Sequence, residues 1–383
     1  MVDVQGTIAD GFEAVRDAFA ANFEQHGEVG AQFVAYFHGE QVVDLWGGTD
    51  PANDREYTPD LLQLVFSSTK GVVAIAAHLL VQRGLLDLEA PVARYWPEFA
   101  EAGKADITLR TLLSHRAGLV GLDESLTLEE FCDWDTFTAR LAAQAPLWEP
   151  GTAHGYHALT FGHLVGEVIR RVTGQSVGDV IRQELCARLG VEFEVGLSDA
   201  DLAKVAPLID FDLAAAAAAD EPDPLIMAIL TPGSLTNRAF LIAPVLITTF
   251  NEPQLLQAQI PSANGCTNAR SLAKLYAATV SEVDGVRLLD PATTDTARQP
   301  QSDGTDLVLL SEDHMALGFF LPDALAPLLG PGSFGHPGMG GSLGAALPER
   351  ELAFGYVMNQ CLAEVRGDPR TQALAAALLA CTA

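Results

Sequence analysis

Residues 66–73 read FSSTKGVV: two serines and a threonine, then a lysine, then the apolar run GVVAIAAHLLV over 71–81. If a helix starts here, Ser67 and Lys70 are three residues apart and share one face, which brings an amine within reach of a hydroxyl. A serine is a weak nucleophile until a neighbouring base takes its proton, and a lysine can do so only when burial lowers its pKa well below about 10.4. The apolar run supplies that burial. The positive end of the helix dipole near Ser67 also favours developing negative charge. The competing reading is a plain helix cap, because Ser and Thr are favoured helix starters.

A second serine competes for the chemistry. GGSLG at 340–344 fits the pattern GxSxG. That pattern requires a strand, a sharp turn, a helix, and then an acidic residue and a histidine later in the chain. The last histidine is His336 and the segment after Ser342 is strand-like, so the match reads as a product of glycine density.

Two further elements bear on Ser67. In WEPGTAHGYHALTFGHLVGEVIRRVTG, 148–174, a loop rich in Pro and Gly leads to Tyr156 and then to an amphipathic helix stopped by Gly174. A phenol beside an amine can exchange protons with a nucleophile and a leaving alkoxide; a core tyrosine is the alternative. In SFGHPGMGGSLG, 333–344, dense glycine lets backbone approach a ligand, and one N–H there can share an oxyanion with the N–H of Ser67. An ordinary glycine-rich edge strand is the alternative.

Around these elements, Phe12, Val15, Phe19 and Phe23 recur at helical spacing, and Gly27 to Gly30 ends that helix. AQFVAYF and VVDLWGG flank a short turn at 38–40, and SLGAAL and ELAFGYVM flank Pro348 to Arg350, so each end of the chain offers a hairpin. Leu352, Phe354, Tyr356 and Met358 alternate onto one face. A closing helix starts with Asp368 as cap and Pro369 as first residue. Between the ends lie helices over 70–83, 107–114, 160–173 and 268–281. The expected organisation is a split α/β region from 1–66 and 285–383, with a mostly helical region over 67–284 and the serine at the boundary. The stretch 212–225, DLAAAAAADEPDPL, reads as a surface excursion, helical at first and then a loop, without chemistry.

Composition narrows the partners. A formal charge of −28, from 22 basic and 50 acidic residues, argues against nucleic acid. The five cysteines, odd in number and without a CxxC pair, fit neither a disulfide framework nor a zinc knuckle. His154, His157 and His163 lie close in sequence but lack ligand spacing, so no metal and no cofactor is expected. MVDVQGTIADGFEAVRDAF lacks the features of a secretory signal and no apolar run reaches the length of a membrane span, so the expectation is a cytoplasmic protein with no membrane partner.

Together, FSSTK, the downstream tyrosine and the late His-x-Gly strand resemble the penicillin-recognising serine hydrolases: class C β-lactamases, DD-peptidases and, within that superfamily, the family VIII carboxylesterases. RGLLDLEAPVARYWPEFA, ITLRTLLSHRAGL, WEPGT and PSANGCTNARSLAKLYAA also look like segments of the esterase branch. The resemblance implies an α+β fold of the β-lactamase/DD-peptidase type: an antiparallel sheet flanked by helices, an inserted helical region, and an active site in the cleft between them. It also implies Ser67 as nucleophile, Lys70 and Tyr156 as general base and acid, and His336, Pro337 and Gly338 as the third motif, with Met339 supplying an oxyanion N–H.

The departures point to the substrate. The β-lactamase pattern follows the tyrosine with Ser-Asn, whereas here His157 and Ala158 follow. Pro337 removes a hydroxyl and a backbone donor from the third motif. His336 replaces a permanent cation with a group mostly neutral near pH 7. Each loss weakens recognition of an anionic β-lactam and none prevents acyl transfer from a small, short-chain ester. The alternatives are a β-lactamase or DD-peptidase-like amide hydrolase, and a catalytically silent binding protein. The presence of serine, lysine and tyrosine together argues against the second.

Overall fold

The computed structural model describes residues 2–211, 213–302, 304–323, 327–363 and 367–382. Its strands are β1 (Gln5–Ile8), β2 (Gly30–Phe37), β3 (Glu40–Asp50), β4 (Arg55–Glu56), β5 (Leu62–Leu64), β6 (Phe193–Val195), β7 (Val205–Ala206), β8 (Gly265–Thr267), β9 (Phe334–Pro337), β10 (Leu343–Leu347) and β11 (Leu352–Met358). The helices that position the site are α1 (Glu13–Gln25), α2 (Ser68–Gln82), α3 (Phe161–Thr173), α4 (Ala269–Val280) and α5 (Pro369–Cys381).

Both hairpins expected from the sequence form, and they join into one antiparallel sheet in the order β1-β3-β2-β11-β10-β9, with β4 paired to β3. The seam between the chain's two ends is the β2–β11 pairing, which runs in register from Leu352 opposite Phe37 to Met358 opposite Ala31. Every residue of β11 is buried, so both sheet faces are covered. On one face Tyr356 hydrogen-bonds to Glu28, just past α1, beneath the start of α5. On the other, Gly355 and Gly344 let α4 approach closely: a Cβ at Gly355 would lie 2.6 Å from Ala273 N. A side chain at either position would push the helix off the sheet.

Helix boundaries follow their caps. Thr108 accepts from Thr111 N at 3.2 Å, so the 107–114 helix begins at Leu109. Asn268 does the same for Ser271 N at 2.8 Å at the head of α4. Asp368 caps α5 as the sequence predicts, accepting from Arg370 N at 2.8 Å. Helix α4 lies within the 67–284 stretch that the sequence division assigns to the helical region, yet it packs against β11, β2 and β10. We therefore place it with the sheet layer: its apolar face is complementary to the glycine positions of that sheet.

A second, four-stranded sheet in the order β6-β8-β5-β7 holds the strand that leads into FSSTK. The 212–225 stretch is helical at first, as expected, over Leu213–Ala217; its Pro-rich exit leads into a second short helix, Pro224–Leu230, capped by Asp223. Asp212 itself lies outside the described residues.

Candidate active site

Strand β5 ends at Leu64, and Val65 N–H donates to Gly265 O at 2.9 Å, fixing the chain just before the turn. Phe66 then takes φ of +40°, a left-handed conformation that is strained for an aromatic residue. Its carbonyl accepts from Thr69 N at 3.0 Å and from Thr69 Oγ1 at 2.5 Å, and its ring packs edge-on against Phe250. This turn leads from strand to helix across residues 65–67 and leaves Ser67 at the N-cap of α2.

The helix-cap reading of the three hydroxyls does not hold. Ser67 makes no side-chain cap bond. Ser68 Oγ donates to His336 O at 3.0 Å, and Thr69 Oγ1 also accepts from Gly265 N at 2.9 Å, so both tie the turn to neighbouring elements instead. Ser67 Oγ meets Lys70 Nζ at 2.9 Å. Helix α2 is buried continuously from Ser68 to Leu80, and Lys70 is fully buried. That burial lowers the Lys70 pKa well below the ordinary lysine value. Its other partner is neutral, the carbonyl of Ser262 at 2.8 Å. Among the described residues no carboxylate pairs with this amine, so it is poised to accept a proton.

Tyr156 closes the triangle. Lys70 Nζ lies 4.8 Å from the centre of its ring. Burial pushes its phenol well above the usual tyrosine range, and a hydrogen bond with Ser67 offsets part of that. The group is therefore a phenol that hands on a proton rather than a standing phenolate. Among the described residues, neither the Ser67 nor the Met339 N–H donates to a protein acceptor. Both residues border the same space.

The third motif divides. Pro337, Gly338 and Met339 line the cleft, whereas His336 is buried behind it and reaches neither of the cavities that open from Ser67. Its Nδ1 pairs with Pro337 O at 2.8 Å, its ring centre lies 6.1 Å from that of Tyr156, and burial beside Lys70 lowers its pKa to about 3. Gly338 N–H donates to Ser342 O at 2.7 Å, closing the turn.

Ser342 takes a structural place. Its Oγ donates to Val65 O at 2.8 Å and sits 3.1 Å from Ser68 Oγ, and strand β10 follows it directly. The second serine thus anchors the turn that carries the first. Of the three neighbouring histidines, His157 accepts from Leu119 N at 3.2 Å and bonds Gly155 O at 2.8 Å, turned inward to brace the loop. His163 is packed between Trp134 and Phe137, with ring centres 4.8 and 4.2 Å away. Among the described residues no group of three or more His, Cys, Asp or Glu side chains has metal-binding geometry.

Three supporting residues escape sequence reasoning. Ser262 presents its carbonyl to Lys70 and accepts from Gly162 N at 2.6 Å. Asp306 Oδ1 receives the N–H of Tyr156 at 3.1 Å and those of Val308 and Leu309 at 2.7 Å. Arg370, fully buried, donates from Nη2 to Gly340 O at 2.5 Å and pairs with Asp368 at 2.7 Å and Glu28 at 3.2 Å, pinning the turn after Met339. Only Arg370 leaves a local sign, standing two residues after the Asp368 cap.

Two cavities open from Ser67, of about 140 and about 290 Å³. The first is bordered by Tyr156, Pro337 and Gly338; the second is almost wholly apolar and includes Ala158 in its wall.

A buried lysine, a partly exposed serine and a buried tyrosine meet on a sheet-and-helix scaffold, and comparison with known proteins places the chain. Residues 15–378 match the Beta-lactamase family, to which the chain belongs. Over 94% of its length it is 36% identical to Esterase/beta-lactamase LipL of Mycobacterium tuberculosis, covering 83% of that protein. A crystal structure of a family VIII carboxylesterase superposes with a TM-score of 0.89 at 37% identity, over 99% of this chain and all of that one. A penicillin-binding protein homologue from Caulobacter crescentus gives 0.87 at 36% identity, with 99% and 100% covered. The fold class expected from the sequence is the one found, and the protein is a hydrolase of the β-lactamase and esterase superfamily.

Proposed function

We propose that the protein is a serine carboxylesterase that cleaves small acyl esters through an acyl-enzyme on Ser67. The observation that carries this is the 2.9 Å contact between Ser67 Oγ and a Lys70 amine that is buried beside a neutral carbonyl. Lys70 takes the proton from Ser67 as the hydroxyl attacks the ester carbonyl. The N–H groups of Ser67 and Met339 hold the oxyanion, next to the N-terminus of α2. Tyr156 gives a proton to the departing alkoxide and is recharged by the Lys70 ammonium; a water then retraces the path to release the acid. The backbone carbonyl of His336 accepts from Ser68 Oγ at 3.0 Å, which ties the third-motif strand to α2.

Support for an ester rather than a β-lactam comes from the walls. Ala158 and Pro337 border the cleft where an amide and a hydroxyl would grip an acylamino group and a carboxylate. The second reading, β-lactam cleavage, draws on the names of the relatives, which include both activities. Purified protein assayed with an aryl acetate and a chromogenic cephalosporin separates the two. The expected result is ester turnover that Ser67→Ala abolishes and little cephalosporin cleavage. Comparable turnover of the cephalosporin refutes the ester preference, and loss of neither activity in Ser67→Ala refutes the mechanism.

A further inference from the structure

We propose that the larger cavity is the acyl side of the site and that it takes apolar acids of about six to eight carbons. This rests on the assignment of Ser67 as nucleophile. The two cavities share Ser67, Met339 and Phe240, and Tyr156 lines only the smaller one. A leaving alkoxide must lie against the group that protonates it, so the alcohol occupies the Tyr156 side. With the carbonyl oxygen held by the Ser67 and Met339 N–H groups, the acyl chain is left with the other compartment, and the Phe240 ring divides the two.

That compartment is built for hydrocarbon. Its inner wall is Phe66, Ala158, Leu159 and Phe250, and Ile226 and Ile229 close it from the Pro224–Leu230 helix. Among the described residues that line it, Asp210 is the one ionisable side chain; partial burial raises its pKa, and its charged form disfavours an anionic acyl group. An apolar cavity of about 150 Å³ holds a six-carbon ring. At about 290 Å³ this one holds nearly twice that, more than an acetyl group needs. The 212–225 stretch, with no chemistry assigned to it from sequence, contributes Leu213 to this wall and Leu225 to that of the smaller cavity.

The test is a series of 4-nitrophenyl esters from acetate to dodecanoate, with wild type, Ile229→Trp and Ile229→Ala. Ile229 is only half-buried, so both variants retain the fold. For wild type, kcat/KM should rise by about two- to fourfold per methylene from acetate to hexanoate, the upper figure corresponding to about 0.8 kcal/mol per buried methylene. It should fall beyond about eight carbons. Ile229→Trp should lower the ratio of octanoate to acetate turnover tenfold or more, while Ile229→Ala should move the optimum to longer chains. Acetate as the fastest substrate, with a profile that Ile229→Trp does not move, overturns the acyl assignment alone. Failure to cleave any ester, or cleavage undiminished in Ser67→Ala, overturns the Ser67 reading and this proposal together.

Discussion

Ser67→Ala and Ser342→Ala should have opposite effects, and the magnitude of each is set by the hydrogen bonds lost. Ser342 Oγ contributes a bond to Val65 O at 2.8 Å and a contact with Ser68 Oγ at 3.1 Å. Removing it orphans neither partner, because Val65 O keeps Ser68 N–H at 3.1 Å and Ser68 Oγ keeps His336 O at 3.0 Å. Only the net value of the bonds is lost, about 1–2 kcal/mol. For a chain of 383 residues that lowers Tm by about 1–3 °C. Ester hydrolysis should stay within about threefold of wild type. Ser67 Oγ instead bonds within the site, to Lys70 at 2.9 Å and to Tyr156, and caps nothing. Its alanine variant should keep the wild-type Tm within about 1 °C and lose at least a thousandfold in kcat. Thermal unfolding and aryl acetate turnover on both proteins check this. If Ser342→Ala folds with native Tm but is inactive while Ser67→Ala remains active, the reasoning is refuted.

Tyr156→Phe should lower kcat by about a hundred- to ten-thousandfold with little change in KM, measured on an aryl ester and on an alkyl ester; the loss should be larger for the alkyl ester, whose alkoxide needs the proton more. Equal losses on both would remove Tyr156 from leaving-group protonation. Stability should fall steeply on acidification. Burial lowers His78 and His157 to about 4 and His163 and His336 to about 3, whereas each takes a proton near 6.5 once unfolded. Folded pKa values below the unfolded ones mean stability present above pH 6.5 and lost as the pH falls toward 4, on the order of 2 kcal/mol per histidine by pH 5. Glu28, raised to about 7 by burial, works the other way between pH 7 and 4.5, and the carboxyls of Asp210 and Asp306, also raised by burial, act in the same sense; His115, likewise lowered by burial, adds a fifth ring to the four. A Tm that is flat from pH 7 to 5 would show that these rings are not held neutral. Arg370→Met strands the buried carboxylates of Glu28 and Asp368 and should destabilise by about 3–5 kcal/mol in urea. Arg370→Lys should rescue little, since one ammonium cannot span Asp368, Glu28 and the Gly340 carbonyl.

Both terminal hairpins, the helices at 160–173 and 268–281 and the Asp368 cap were legible because each depends on residues a few positions apart. Period-two alternation, helical spacing and a capping side chain are local causes, and the chain shows them directly. The proximity of Ser67 to Lys70 belongs to the same class, being one helical turn. The rest of the site was not local. Ser342 looked like a rival nucleophile by motif, and only the bond from its Oγ to Val65, 277 residues away, gives it another task. Ser262 lies in the PSANGCTNARSLAKLYAA segment that carries the resemblance, but nothing there marks its role, and Asp306 carries no pattern at all, because a carbonyl or a carboxylate that braces a distant loop is chosen by geometry and not by its sequence neighbours.

From sequence alone came the family resemblance, the serine–lysine pair and the loss of the β-lactam-gripping side chains after Tyr156. The burial that lowers the Lys70 pKa, the convergence of Tyr156 and Met339 on Ser67, and the size of the larger cavity belong to the tertiary structure. Each depends on desolvation and on distances between segments far apart in the chain, and these exist only once the sheet, the α2 helix and the 210–250 wall have packed together.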